Sequence, residues 1–323
     1  MPSADDARAT TRAQATTSSA PRVTIRAVAE HAGVSRQTVS NALNSRAARP
    51  HGYRFLVFDA PYADDDAEIA AYTELLAGHD VDAFVVADSH AGDRRPTWLA
   101  RHRAPFVVHG HPWGDPGAGH AWVDVDGALG ITRAVDHLVA HGHRRIGFVG
   151  WPADGAGGDA RRRGWRDAMA TRGLDTAVEL TSPADDVPSA TNTVAPLLAR
   201  PDAPTALVCA SDALALGALA AVTDTGAAPG RDLALTGYDD SDLASLACPG
   251  LTSVRQPIRL VAQTLVEHVL DQLGVDLGRA PAPAGFVAPE LVVRASSTAP
   301  APPRPTGTRS TAAGHRLRPP TRL

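Results

Sequence analysis

The sequence predicts an α/β protein: a small N-terminal helix-turn-helix followed by two doubly wound parallel-sheet subdomains, the first sheet incomplete. Three observations predict it. Short apolar runs recur along residues 53–297 and alternate with amphipathic stretches, as strands buried on both faces do when crossover helices join them. Glycines stand where those amphipathic stretches end, where a helix C-terminus needs left-handed backbone. The alternation is also too long for a single doubly wound unit, which calls for two sheets with a cleft between them.

The strand candidates are the runs at 55–58, 84–87, 106–109, 145–149, 207–210, 233–237 and 251–254. Helical candidates lie between them at 69–77, 127–140, 162–171, 214–222 and 258–273. Gly142, Gly173, Gly226 and Gly274 fall at the helix ends. Asp64, Asp65 and Asp66 precede the first of these helices, where acidic side chains favour the positive end of the helix dipole.

Composition narrows the chemistry. The chain has 323 residues, 44% hydrophobic and 20% charged, enough for one large or two medium soluble domains. Cys209 and Cys248 are its two cysteines, too few for a disulfide framework or a four-cysteine zinc site. All 31 basic residues are arginine. The absence of lysine excludes P-loop, kinase, Schiff-base and pyridoxal chemistry. No apolar run approaches the ~18 residues of a membrane span, and the first twenty residues lack the apolar segment of a secretory signal. A cytoplasmic protein with no membrane partner is expected.

Charge divides the chain. Residues 1–50 carry seven arginines against Asp5, Asp6 and Glu30, and residues 298–323 carry five arginines and no acid. The whole chain is nevertheless at −4, so the body is acidic. A basic head on an acidic body suits a head that meets a polyanion. Six prolines and no apolar period make residues 298–323 a disordered tail. The expected organisation is a disordered leader (1–22), a helix-turn-helix segment (23–44), a short junction (45–52) and an effector-binding domain (53–297). Within that domain the expected N-subdomain is 53–150 plus 258–284, and the C-subdomain is 151–257 plus 285–297.

The most informative motif is VTIRAVAEHAGVSRQTVSNALN at 23–44. Thr24 can cap a helix whose apolar positions are Ile25, Val28, Ala29 and Ala32. Gly33 ends it, Val34 turns inward, and Ser35 caps a second helix with apolar Val39, Ala42 and Leu43. Two short helices joined by a glycine-containing turn make a helix-turn-helix. On the second helix Arg36 can fork onto guanine, while Gln37 and Asn41 can pair with adenine. Ser35, Thr38 and Ser40 suit phosphate oxygens.

This string resembles the headpiece of LacI-type bacterial transcription regulators. The resemblance continues through LVAHGHRRIGFVG (138–150), RRRGW (161–165), PTALVCASDALALGAL (204–219), LALTGYDDS (233–241), PGLTSVRQP (249–257) and APELVVRASS (288–297). It implies a headpiece on a periplasmic-binding-protein-like body, in which two α/β subdomains close around a small effector, often a sugar or nucleobase. It also implies a homodimer on a palindromic DNA operator. Here only SRAARPHG (45–52) stands between the recognition helix and the next strand. The family places there a third headpiece helix, a linker, a hinge helix that enters the minor groove, and the body's first strand and helix. About sixty residues are missing by ordinary element and loop lengths. Weakened operator binding is the expectation, and a ligand-binding protein that has lost operator binding is the alternative.

Effector contacts follow from position and charge. Arg161 opens a helix after Gly155, Gly157 and Gly158. Asp212 and Asp239 follow the strands at 207–210 and 233–237, where open α/β sheets bind ligands. Carboxylates and an arginine there grip sugar hydroxyls, and the resemblance points to the same three positions. Each also has a plainer reading: Asp212 as a helix cap, Asp239 as a turn former, Arg161 as part of a solvated arginine run. Trp113 and Trp151 follow strands and can stack on a sugar face, whereas Trp165 reads as helix core.

No enzyme motif competes. GAGGDA (155–160) is not a dinucleotide fingerprint, and no GxSxG elbow is present. His109/His111 and His141/His143 are histidine pairs that read as loop and helix-end residues. No cofactor and no metal is expected, and an enzyme on the same body is the least supported reading.

Overall fold

The structure is a computed structural model that describes residues 52–53, 64–113, 117–152 and 156–297. The helix-turn-helix segment with Thr24, Ser35, Arg36, Gln37, Thr38, Ser40 and Asn41, the strand candidate at 55–58 and the tail lie outside the described residues.

The described chain opens with helix α1 (Asp65–Ala77), capped by the Asp64 carboxylate, which accepts from the Ala67 amide at 2.9 Å. It continues through β1 (Phe84–Val86), α2 (Arg95–Arg101), β2 (Phe106–His109) and β3 (Trp122–Val125). Helix α3 (Gly127–Ala140) leads to β4 (Ile146–Gly150), α4 (Ala156–Thr171) and β5 (Glu179–Thr181). Helix α5 (Val187–Leu198), β6 (Ala206–Cys209), α6 (Asp212–Asp224), β7 (Ala234–Asp239) and α7 (Asp242–Leu246) follow. The chain then runs through β8 (Thr252–Arg255), α8 (Ile258–Gln272), β9 (Gly285–Val287) and β10 (Glu290–Val292).

These elements build two sheets. The smaller has the order β1-β2-β3-β9, all parallel. The larger has the order β10-β8-β7-β6-β4-β5, parallel except for β10 against β8. The predicted doubly wound α/β class is therefore the observed one. Gly142, Gly173, Gly226 and Gly274 all have positive φ, from 63° to 89°.

The expected subdomain boundaries are corrected at three points. Strand β4, placed in the N-subdomain by the sequence, lies inside the larger sheet between β6 and β5, and all five of its residues are buried. Helix α3 belongs with it, because Ile131, Ala134, Val135 and Leu138 are fully buried in the larger core. Strand β9, placed in the C-subdomain, pairs with β3 in the smaller sheet. Among the described residues the chain thus passes between lobes three times: after β3, between β8 and α8, and between β9 and β10. The Asp126 amide donates to the Val287 carbonyl at 3.0 Å, which ties two of these passages together.

Packing differs between the lobes. The larger core holds Phe148, Trp165, Leu207, Leu214 and Tyr238 at 0–1% exposure, and the Phe148 and Trp165 rings stack at 5.6 Å. Helices α3 and α4 approach closely at Gly164, where a Cβ would stand 2.6 Å from Ala128 Cα. In the smaller lobe one sheet face packs Phe84, Val86, Phe106 and Val108 against Tyr72 of α1 and Leu99 of α2. Val107, Val123 and Val125 pack the other face against Val261 and Leu265 of α8. Among the described residues, no helix is long and apolar enough to cross a membrane.

Candidate functional site

Parallel strands deliver their C-terminal ends to one edge of a sheet, where loop side chains and helix N-termini converge. In the larger lobe that edge carries Trp151 after β4, Ser211 after β6, Asp239 closing β7 and Gln256 after β8. Arg161 joins them from α4. The sequence expected Arg161 to open that helix, but α4 begins at Ala156. Gly157 and Gly158 lie within the helix, Gly155 lies outside the described residues, and Arg161 sits in the second turn.

Arg161 is held by its own lobe. Its Nη1 donates to the Ala210 carbonyl at 2.6 Å. Its guanidinium carbon lies 3.7 Å from the Tyr238 ring centroid and 5.6 Å from that of Trp151. Cation-to-ring contact of this kind fixes a guanidinium without consuming its remaining donors. Nη2 stands 3.8 Å from Asp239 Oδ1, an attraction across a short gap that leaves the carboxylate room for a ligand.

Asp239 has φ +107° and Asp240 φ +50°, so the turn after β7 is made by two non-glycine residues in unusual backbone. Asp240 secures it, because Arg255 Nε and Arg294 Nη2 donate to its two carboxylate oxygens at 2.7 and 2.6 Å. Gln256 Nε2 donates to Asp239 Oδ1 at 2.6 Å. Burial pushes the Asp239 carboxyl up to about 7; Arg161 opposes the shift, and the nearby Asp212 and Asp185 reinforce it. The side chain retains 22% of its surface, and burial of the remainder is the largest cause of the shift.

Asp212 needs correction. It is 3% exposed, and both carboxylate oxygens are used inside the protein. Oδ1 accepts from Ser253 Oγ at 2.5 Å and Oδ2 from the Ser241 amide at 2.7 Å. Gly237 leaves the space it fills, since a Cβ there would stand 2.3 Å from Oδ1. Asp212 is thus a strut beneath the site rather than a wall of it. The helix cap it was also weighed for belongs to Ser211, whose Oγ accepts from the Leu214 amide. Ser211 Oγ also donates to Asp185 Oδ1.

The smaller lobe supplies the facing wall. His111 lies beyond β2, and its backbone amide and ring Nδ1 both bond Asp124 Oδ2, at 3.1 and 3.0 Å. The Trp113 ring lies 3.8 Å from the His111 ring, and Trp122 meets Phe286 edge-on at 5.0 Å. Arg163 of α4 reaches across, its guanidinium carbon 5.0 Å from the Trp113 centroid. The structure therefore brings Arg161, Asp239 and Trp151 together on one side, with Trp113 on the other. Sequence reasoning missed Gln256, Asp124 and His111. Gln256 stands two residues past Val254, the end of a predicted strand, and that position was the available signal.

Two other features stand on the smaller lobe. A hollow of about 850 Å³ lies on the smaller lobe, lined in part by His90, Arg101, Phe106, Val108, Trp113 and Asp271. Its lining adds Ser89, Asp93, His120, His268 and Gln272, and it lies away from the strand ends of the larger lobe that carry Arg161, Asp239 and Gln256. Asp65, His90 and Asp93 cluster within 4.8 Å, but Arg95 occupies the cluster. It is 4% exposed, donates to both Asp93 oxygens at 2.9 Å and to Glu68 at 2.8 Å, and makes the cluster an ion-pair network. Of the paired histidines, His143 is fully buried against Thr205 and His141 bonds the His137 carbonyl at the end of α3.

Two lobes, three chain passages and a polar edge facing an aromatic one define a periplasmic-binding-protein-like domain, and residues 135–297 match that domain family. The chain is 34% identical over 268 residues to the HTH-type transcriptional regulator AglR of Rhizobium meliloti, covering 79% of this chain and 70% of AglR. It is 31% identical over 223 residues to the regulator CelR of Thermobifida fusca, covering 69% of this chain and 65% of CelR. Among solved structures, a CelR–cellobiose complex superimposes with a TM-score of 0.66 at 25% identity, covering 85% of this chain and all of that one. A dimeric Lac repressor superimposes with a TM-score of 0.69 at 25% identity, covering 82% and 94%. The chain belongs to the LacI family of bacterial transcriptional regulators.

Proposed function

We propose that this chain is a DNA-binding transcriptional repressor whose effector, a sugar or sugar derivative, binds between the two lobes. The observation that carries the reading is the placement of Arg161, Asp239 and Gln256 at the strand ends of one lobe, opposite the Asp124–His111–Trp113 wall of the other. Asp239 and Gln256 offer acceptors and donors to hydroxyl groups, and the indoles of Trp151 and Trp113 offer faces to ring carbons. The CelR relative solved with cellobiose supports a carbohydrate. Closure on the effector changes the angle between lobes, and Gln256, bonded to Asp239 and standing at a passage between them, couples the occupied site to that angle.

Titration calorimetry with a sugar panel led by cellobiose tests the site. Wild-type protein is expected to bind at least one sugar and Asp239→Ala to lose at least tenfold in affinity. Unchanged affinity in the variant overturns the assignment.

DNA binding falls to residues 23–44, with Thr24, Ser35, Thr38 and Ser40 on phosphates and Arg36, Gln37 and Asn41 on bases. A homodimer reads a palindromic operator, since one headpiece reads one half-site. Leu243 and Leu246 of α7, 61% and 77% exposed, are an apolar patch suited to the second copy. The short 45–52 junction favours a second reading, a ligand-binding member of the family that has lost operator binding. Gel shifts across a salt series separate the two. Phosphate contacts impose a steep salt slope, so binding that is weaker than nanomolar and steeply salt-dependent supports the regulator. No specific complex at low salt supports the second reading.

A further inference from the structure

We infer that Arg163 is a positioning residue of this site: from the larger lobe it holds the Trp113 indole of the smaller lobe over the cleft and so clasps the two lobes together. The inference rests on the reading of the cleft as an effector site.

The three arginines at 161–163 divide their work. Arg161 bonds the Ala210 carbonyl, and Arg162 pairs through Nε with Glu179 Oε1 at 3.0 Å; both partners lie in the larger lobe. Arg163 is exposed and turns to the other side, its guanidinium carbon 5.0 Å from the Trp113 centroid. Trp113 is well seated to receive it. Its ring lies 3.8 Å from that of His111, and His111 is anchored twice on Asp124 of β3. The result is a continuous line, Asp124–His111–Trp113–Arg163, that starts in the smaller sheet and ends on a helix of the larger lobe.

A cation over a partly exposed indole shifts a two-state equilibrium about two- to fivefold. That is enough to bias the lobes towards closure without locking them. It also fixes Trp113 before the effector arrives, so that less freedom is lost on binding. Arg163→Ala should then weaken effector binding by about the same two- to fivefold.

The test uses the full chain labelled with 5-fluorotryptophan and observed by fluorine NMR, with Trp113→Phe assigning the Trp113 line. In Arg163→Ala that line is expected to move towards a solvent-exposed shift, with a larger solvent isotope effect, and Arg163→Lys should restore part of the change. The line of Trp165, fully buried in the larger core, should stay in place and reports an intact fold. A Trp113 line that is the same in wild type and Arg163→Ala overturns the inference, whatever sugars do. Adding cellobiose and the rest of the panel keeps the two readings apart. A Trp113 line that answers to Arg163 while no sugar moves it upholds the clasp and removes the carbohydrate reading.

Discussion

The two lobes share a fold and differ in how well they are built. In the larger, six strands and four long helices enclose one continuous core whose central side chains are almost wholly inaccessible. In the smaller, the described residues form four strands and several small clusters; Phe84 and Tyr72 keep 8% and 7% of their surface, and Val85 at the sheet edge keeps 40%. The difference teaches where the site is rigid. Arg161, Asp239 and Gln256 stand on the well-packed lobe with their partners fixed. The opposing Trp113 and His111 stand on the thinner one, so under the proposed function the geometry left for an effector to adjust is the placement of the aromatic wall.

The largest expected effect is in the larger core. Trp165→Ala should cost about 3–5 kcal/mol, as truncation of a fully buried indole does, and chemical denaturation should show it in the main transition. Leu99→Ala, in the smaller lobe and equally buried, should cost about 2–5 kcal/mol in an earlier transition that leaves the larger lobe folded. Scanning calorimetry in which both variants shift one common transition would erase the contrast between lobes.

Asp239 comes next. Its carboxyl lies at about 7 in the fold against 3.8 when unperturbed. Between those values the folded chain holds a proton that the unfolded chain has released. The stability Asp239 contributes is therefore full below pH 4, falls as the pH rises to 7, and is level above. Asp239→Asn removes this dependence, so its Tm should match wild type near pH 4, exceed it increasingly up to about pH 7, and keep a level excess above that. A constant Tm difference across that range would show that the shift is absent. The smallest effect is at Arg166, which forks onto both Glu179 oxygens at 2.8 and 2.9 Å but is 54% exposed. Arg166→Ala should cost about 0.2–1 kcal/mol, and high salt should diminish the loss.

Much of this was legible in the residues. Strand β2 and helix α3 match the predicted spans, because FVVH is a clean apolar run and 127–140 alternates at helical period between Asp126 and Gly142. Strands β5, β9 and β10 escaped notice, being three residues each and too short for any period to register. Strand β3, WVDV, hides behind the half-buried Asp124 that bonds His111. Helix α5 is masked by Pro188 and Pro196, although Asp186 and Pro188 together mark its start. The lobe boundary was misplaced because an apolar run records that a strand is buried but not which sheet it joins. Arg161 and Asp239 drew attention because they follow glycines or a strand, and the fold places them 3.8 Å apart. Gln256 and Asp239 lie 17 residues apart, and the fold alone brings them into contact.

The three passages between lobes carry one more consequence. Neither lobe is a continuous piece of chain, so a single nick by a protease in a connecting segment leaves the halves joined by the remaining two. Each lobe also waits for residues translated late, because the smaller sheet is completed by β9 and the larger by β10. A nascent chain released before residue 285 would leave both lobes unfinished at once.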